Sequence, residues 1–217
     1  MAWSTQIDSY CERVDFTFWS EPVNALTNAA FLIAALYVWP LAKATPMGRA
    51  LAVILFVIGL GSFAFHTFAT GWASLADVLP IVAFILTYIF AANRDYFGLS
   101  TGRAVLVTLL FFPFAAATAP LFAQLGLGSS AAYAPVPLLI FIYAYLLKAR
   151  APETARGMAV GAVILCISIA LRMADAPLCG RLPLGTHFAW HILNALMLAH
   201  MIRVYSRHML EAGGMTR

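Results

Sequence analysis

The chain has 217 residues, 63% of them hydrophobic and only 10% charged, with 13 Lys and Arg against 9 Asp and Glu for a formal net charge of +4. A mean hydropathy of +0.87 leaves too little polar surface to cover a soluble globule, and the apolar runs are too many for one soluble core. A water-soluble enzyme and a disordered chain are thereby excluded, and the runs are continuous rather than alternating, which excludes a membrane β-barrel.

A helical span needs about 20 apolar residues, so the sequence predicts an all-α polytopic membrane protein, a bundle of seven transmembrane helices over 24–41, 49–68, 73–93, 104–123, 131–147, 157–173 and 184–205. Residues 1–23 lack a basic n-region and an apolar h-region, so no cleavable signal peptide is expected and this segment is read as retained. Asn24 and Asn28 open the first span at i,i+4 spacing around Thr27; they could bond across helices or orient a ligand or carboxylate. Pro80 and Pro113 are expected to kink the third and fourth spans and open volume between helices. Residues 206–217 read as a tail in which His208 is solvated. Without repeats, low-complexity tracts or long linkers, residues 1–217 read as one membrane domain.

Orientation follows from the cations. Lys43, Arg49, Arg94, Arg103, Lys148, Arg150, Arg156, Arg203, Arg207 and Arg217 fall at the first, third and fifth loops or in the tail, whereas Arg13, Arg172 and Arg181 fall on the other side. By the positive-inside rule the N-terminal segment is extracytoplasmic and the tail cytoplasmic. The positive charge is thus a topology signal, with some attraction to anionic head groups, and not a sign of nucleic-acid binding. In a bacterial cell this multi-pass protein belongs in the plasma (inner) membrane.

With that orientation, the second span ends at GSFAFHTF, the third begins near ASLADVLP and the last begins at GTHFAWH, which sets His66, Asp77, His187 and His191 at one depth near the outer face. Ionisable groups within spans are costly to keep and mark functional sites by default. His187 and His191 share a helical face, and with His66 they make three imidazoles, the usual protein contribution to a catalytic zinc site with one position left open. Zinc lowers the pKa of bound water from about 15.7 to about 7, which makes hydrolysis its natural use. Ser62, one turn before His66, is placed to donate to a developing oxyanion, and Asp77 to carry a proton from water to a leaving group.

Plainer readings stand beside these. His66 could bond between helices and Ser62 could be a small packing residue. Ser74 and Asp77 form S-L-A-D, a capping-box pattern that would spend the carboxylate on backbone donors. Trp190 reads as a packing or interfacial residue, Cys166 as packing, and His200 lies on the face opposite His191 with no catalytic role.

YCER followed by EPVNALTN, GSFAFHTF with ADVLP, and THFAWH together resemble the alkaline ceramidases, a branch of a superfamily of seven-helix membrane hydrolases that includes the adiponectin-receptor-like proteins. The resemblance implies zinc ligands His66, His187 and His191, with Ser62 and Asp77 completing a site that hydrolyses ceramide to fatty acid and sphingoid base. It also implies calcium in the N-terminal segment, for which Asp8, Glu12, Asp15 and Glu21 are the candidates; Ser9 and Val14 depart from the oxygen-rich ligands of the animal enzymes. Family members further resemble this chain in carrying Cys11 and Cys179 on one side, where either a disulfide or two free thiols fits. The alternative from another class is a receptor or sensor with a structural zinc site. A proton or metal transporter would need polar groups through the full membrane depth, and here they gather at one end.

Overall fold

The computed structural model describes residues 3–214; Arg217, counted above among the cations, lies outside the described residues. Nine α-helices are present among them: α1 (Pro22–Thr27), α2 (Ala29–Ala42), α3 (Pro46–Phe68), α4 (Gly71–Ala91), α5 (Thr101–Leu109), α6 (Phe111–Phe122), α7 (Pro135–Leu147), α8 (Pro152–Leu178) and α9 (His187–Gly214). With α1–α2 and α5–α6 each forming one interrupted column, seven columns pack in a ring in which each touches the next and α9 returns to α2. Among the described residues, five stretches, Pro22–Ala42, Pro46–Phe68, Gly71–Tyr96, Thr101–Ala132 and Pro152–Leu178, are long and apolar enough to cross a membrane.

Local chemistry sets where these helices start, break and stop. Proline at the first position of α3, α7 and α8 has the right φ and lacks only an amide that would go unpaired. Thr45 adds a cap to α3 by accepting from the Gly48 amide at 3.1 Å. The first column breaks at Asn28 because side chains compete for its ladder: Thr27 donates to the Val23 and Asn24 carbonyls, and Asn28 Nδ2 donates to the Asn24 carbonyl. The fourth expected span breaks at Leu110, where Pro113 lacks an amide and crowds the carbonyl of Leu109, four residues back.

Pro80 does not break α4, which runs through it. Here the neighbour accommodates the defect. Gly61 of α3 lies against the Ala76 carbonyl, the one Pro80 cannot serve, at a separation that no Cβ could enter. Two expectations are corrected. S-L-A-D is not a cap, because α4 starts at Gly71 and its first amides are taken by the N-terminal segment: Gly71 N–H donates to the Thr5 carbonyl and Trp72 N–H to that of Trp3. The last helix also does not stop at 205, since α9 continues to Gly214, and His208 is not solvated: it is half-buried, bonds Thr154 Oγ1 at 2.8 Å and lies against the Tyr96 ring.

The N-terminal segment lies across the end of the bundle where α3 and α8 finish and α1, α4 and α9 begin. Ile7 N–H donates to the Ala69 carbonyl in the α3–α4 turn, beside an isolated bridge between Gln6 and Thr70. A disulfide joins Cys11 to Cys179, with Cα atoms 5.3 Å apart.

Candidate metal centre and active site

Helices α3 and α9 bring three imidazoles together. His66 sits in the last turn of α3, His187 is the first residue of α9, and His191 follows one turn later. Their ring centroids are 4.6–5.1 Å apart and none is more than 2% exposed. One ring nitrogen of each lies within 4.8 Å of the others, and among the described residues no other trio of His, Cys, Asp or Glu is so arranged.

Hydrogen bonds on the far side of two rings fix their tautomers. Glu21 Oε2 lies 2.6 Å from His66 Nδ1; an ionised carboxylate only accepts, so Nδ1 carries the proton and Nε2 the lone pair. Thr27 Oγ1 lies 2.9 Å from His191 Nδ1, but its single proton is directed to the helix carbonyls, so Nδ1 donates and Nε2 keeps the lone pair. His187 is held differently, stacked on Tyr10 at 3.6 Å between centroids. His191 Nε2 and His187 Nδ1 are buried without any hydrogen-bond partner. Buried polar atoms left unpaired are costly, and three converging imidazole nitrogens are a zinc donor set, so these residues fit a metal ion. The carboxylate and hydroxyl behind His66 and His191 are of the kind that orients imidazoles for metal binding.

The amides at the start of α9 are held by Asp175, an acid 3% exposed near the end of α8. Asp175 Oδ1 accepts from Thr186 and His187 N–H, and Oδ2 accepts from Cys11 N–H, so one carboxylate caps the helix that carries two histidines and tethers the N-terminal segment. Gly185, at φ 64°, is required beside it, because a Cβ there would meet both Asp175 and Cys11. The sequence alone gives Asp175, Arg13, Tyr10 and Arg172 no role at the site. An ionisable residue at the edge of an apolar run was the available signal for Asp175 and Arg172.

Ser62 and Asp77 line the same cavity as His187 and His191. Arg172 is also there, its Nη1 donating to Ser129 and Ser130 and its guanidinium lying over Tyr133, Trp190 and Tyr10. Trp190 is buried rather than interfacial. Away from this polar end the walls are mostly apolar, with Phe84, Ile140, Leu165 and Met201 among them. From His191 to Met201 α9 rises about 15 Å, room enough for a hydrocarbon chain. His200 lies off the site and donates to the Gly157 carbonyl at 2.8 Å.

The four acids considered for calcium do not assemble. Both oxygens of Glu12 accept from the Val23 and Asn24 amides at the start of α1, and Asp8 is exposed. Asp15 accepts from Thr17 backbone and hydroxyl, which holds its carboxyl below the ordinary value. Glu21 accepts from Arg13 Nε, Asn24 Nδ2 and His66 Nδ1. Burial opposes its charge, but the His66 and Asn24 hydrogen bonds and the Arg13 cation outweigh that and hold its carboxyl below the usual range. Asn24 thus supports the histidine site through Glu21, while the Asn28 side chain bonds only back to the Asn24 carbonyl.

The Ceramidase family model matches residues 4–214, nearly the whole chain, and the chain belongs to that family. No curated protein sequence matches it.

Proposed function

We propose that this Ceramidase family member is a zinc-dependent hydrolase of amide-linked lipids, cleaving ceramide or a close analogue to a fatty acid and a sphingoid base within the membrane. Membership of the family implies a hydrolase acting on amide bonds. The observation that carries the rest is the buried trio His66, His187 and His191, of which His187 and His191 line the polar end of a mostly apolar cavity together with Ser62 and Asp77.

Zinc, when bound, supplies a Lewis acid and water acidic enough to attack a carbonyl near neutral pH. His66 and His191 present Nε2 lone pairs because Glu21 and Thr27 hold the opposite nitrogens. Ser62 donates its hydroxyl to the carbonyl oxygen as negative charge builds there. Asp77 accepts a proton from the attacking water and returns it to the amine nitrogen as the C–N bond breaks and the new C–O bond remains with the acid. Arg172 and Tyr10 close the polar end, and the apolar walls hold a chain that never has to leave hydrocarbon.

We also take residues 1–217 as one domain of seven spans with the N-terminal segment extracytoplasmic, in the plasma membrane if the host is a bacterium. Purified protein should contain one zinc per chain and release fatty acid from ceramide. His191→Ala should lose both zinc and turnover while its helical circular dichroism persists. One bound zinc with no release from any amide-linked lipid would favour the receptor alternative, and turnover by metal-free protein would overturn the mechanism.

A further inference from the structure

Glu21 and Glu12 are buried carboxylates at the roof of the site, and buried charges must be compensated. Glu12 is served by two amides and the positive end of α1. Glu21 is served by Arg13, whose side chain is 1% exposed. The Arg13 guanidinium makes three contacts with oxygen: Nε donates to Glu21 Oε1 at 2.5 Å, Nη1 to the Asp15 carbonyl at 3.1 Å and Nη2 to the His66 carbonyl at 3.0 Å. A carboxylate and one backbone carbonyl from the N-terminal segment and a second carbonyl from α3 thus converge on one cation. Oxygens of that kind are also what calcium seeks, though it takes six to eight of them at about 2.3–2.6 Å. Here the space among them is filled by a planar group whose own charge already balances Glu21. A divalent ion added beside it would face a buried like charge.

We infer that Arg13 is a built-in cation that takes the place of a divalent ion in this segment and positions His66, so that the enzyme is calcium-independent. The grip on His66 is double. Nη2 satisfies its backbone carbonyl in the last turn of α3, where no amide follows to do so, and Nε steadies the Glu21 carboxylate that holds its ring at Nδ1. Arg13 touches neither substrate nor metal; it acts through Glu21 and the α3 terminus. A lysine keeps the charge but lacks the fork that reaches three oxygens at once. This rests on the reading of His66 as a metal ligand.

The test uses the purified full chain in buffer stripped of divalent ions and resupplied with zinc. Titration of wild type with calcium chloride should produce no shift in melting temperature and no stoichiometric calcium by mass spectrometry. Zinc affinity, measured by competition with a chromophoric chelator, should fall about 10- to 100-fold in Arg13→Ala, the usual loss when an outer partner is removed. In Arg13→Lys, which retains charge and bulk should the alanine variant fold poorly, the loss should be intermediate. A wild type that binds one calcium and is stabilised by it overturns the replacement, and Arg13→Lys with unaltered zinc affinity overturns the positioning role. Wild type unable to bind zinc sinks the metal reading of the histidines, and the calcium titration then judges Arg13 separately.

Discussion

Glu21 and Asp77 are acids beside one cluster, yet their surroundings assign them different work. Three donors saturate Glu21, so it orients and compensates; Asp77 has no ion-pair partner among the described residues and faces the cavity. Glu21→Gln should lower zinc affinity about 10- to 100-fold by loosening the His66 ring. It also leaves Arg13 buried without its counter-charge, a change that costs about 3–5 kcal/mol and appears as a lower melting temperature. Asp77→Asn should keep zinc and stability but lose about 10²–10⁴-fold in turnover, the range of a general acid–base group. Zinc titration, melting and fatty-acid release on both variants separate the roles, and an Asp77→Asn enzyme of undiminished turnover would remove Asp77 from the chemistry. Residues such as His66, His187, His191, Ser62 and Asp77 could be singled out from the chain because i,i+4 spacing is local and ionisable groups stand out in apolar runs. Glu21 and Arg13 could not be given these partners. They lie in a segment without periodicity, and their bonds to His66 span 45 and 53 residues.

At the scale of elements, the α3–α4 contact matters most to the site, since α3 carries Ser62 and His66 and α4 carries Asp77. Gly61 sets its closeness against the Ala76 carbonyl. Gly61→Val forces backbone apart where no flexible side chain can yield, and overpacking of this kind costs about 1–3 kcal/mol. The variant should melt lower and bind zinc more weakly, because the next residue is Ser62 and His66 lies little more than a turn beyond. Gly102→Ala on α5, with nothing within 4 Å of the added Cβ, should change neither measurement. Equal melting of the two variants would refute the close-contact argument. Apolar runs made the helices legible at this scale, because hydropathy reports what meets lipid or core. They do not report continuity. Breaks at Asn28 and Leu110 depend on side chains bonding backward and on a proline three residues ahead, and the extension of α9 to Gly214 adds polar residues that blur a hydropathy boundary.

For the whole molecule, the reading of topology meets a test of its own exceptions. Three cations sit on the side expected to lie outside, and two of them have local reasons to be there. Arg13 is neutralised by Glu21 within the roof, and Arg172 is held by Ser129, Ser130 and three aromatic faces. Arg181 alone is an exposed cation in a connecting segment. Setting aside locally bound charges therefore sharpens the asymmetry on which the proposed orientation rests. The Cys11–Cys179 disulfide points the same way, since such bonds persist on the oxidising side of a membrane. From His187 to Gly214, α9 rises about 40 Å and carries the chain to the opposite end of the bundle from the histidines. In a Cys166→Ser background, an Asp8→Cys variant should react with a membrane-impermeant maleimide added to intact cells, and a fluorescent protein fused after Arg217 should mature in the cytoplasm. Labelling of Asp8→Cys only after lysis would invert the topology. It would also set the disulfide in a reducing compartment, where the tie between the N-terminal segment and the α9 start would have to be held by Asp175 alone.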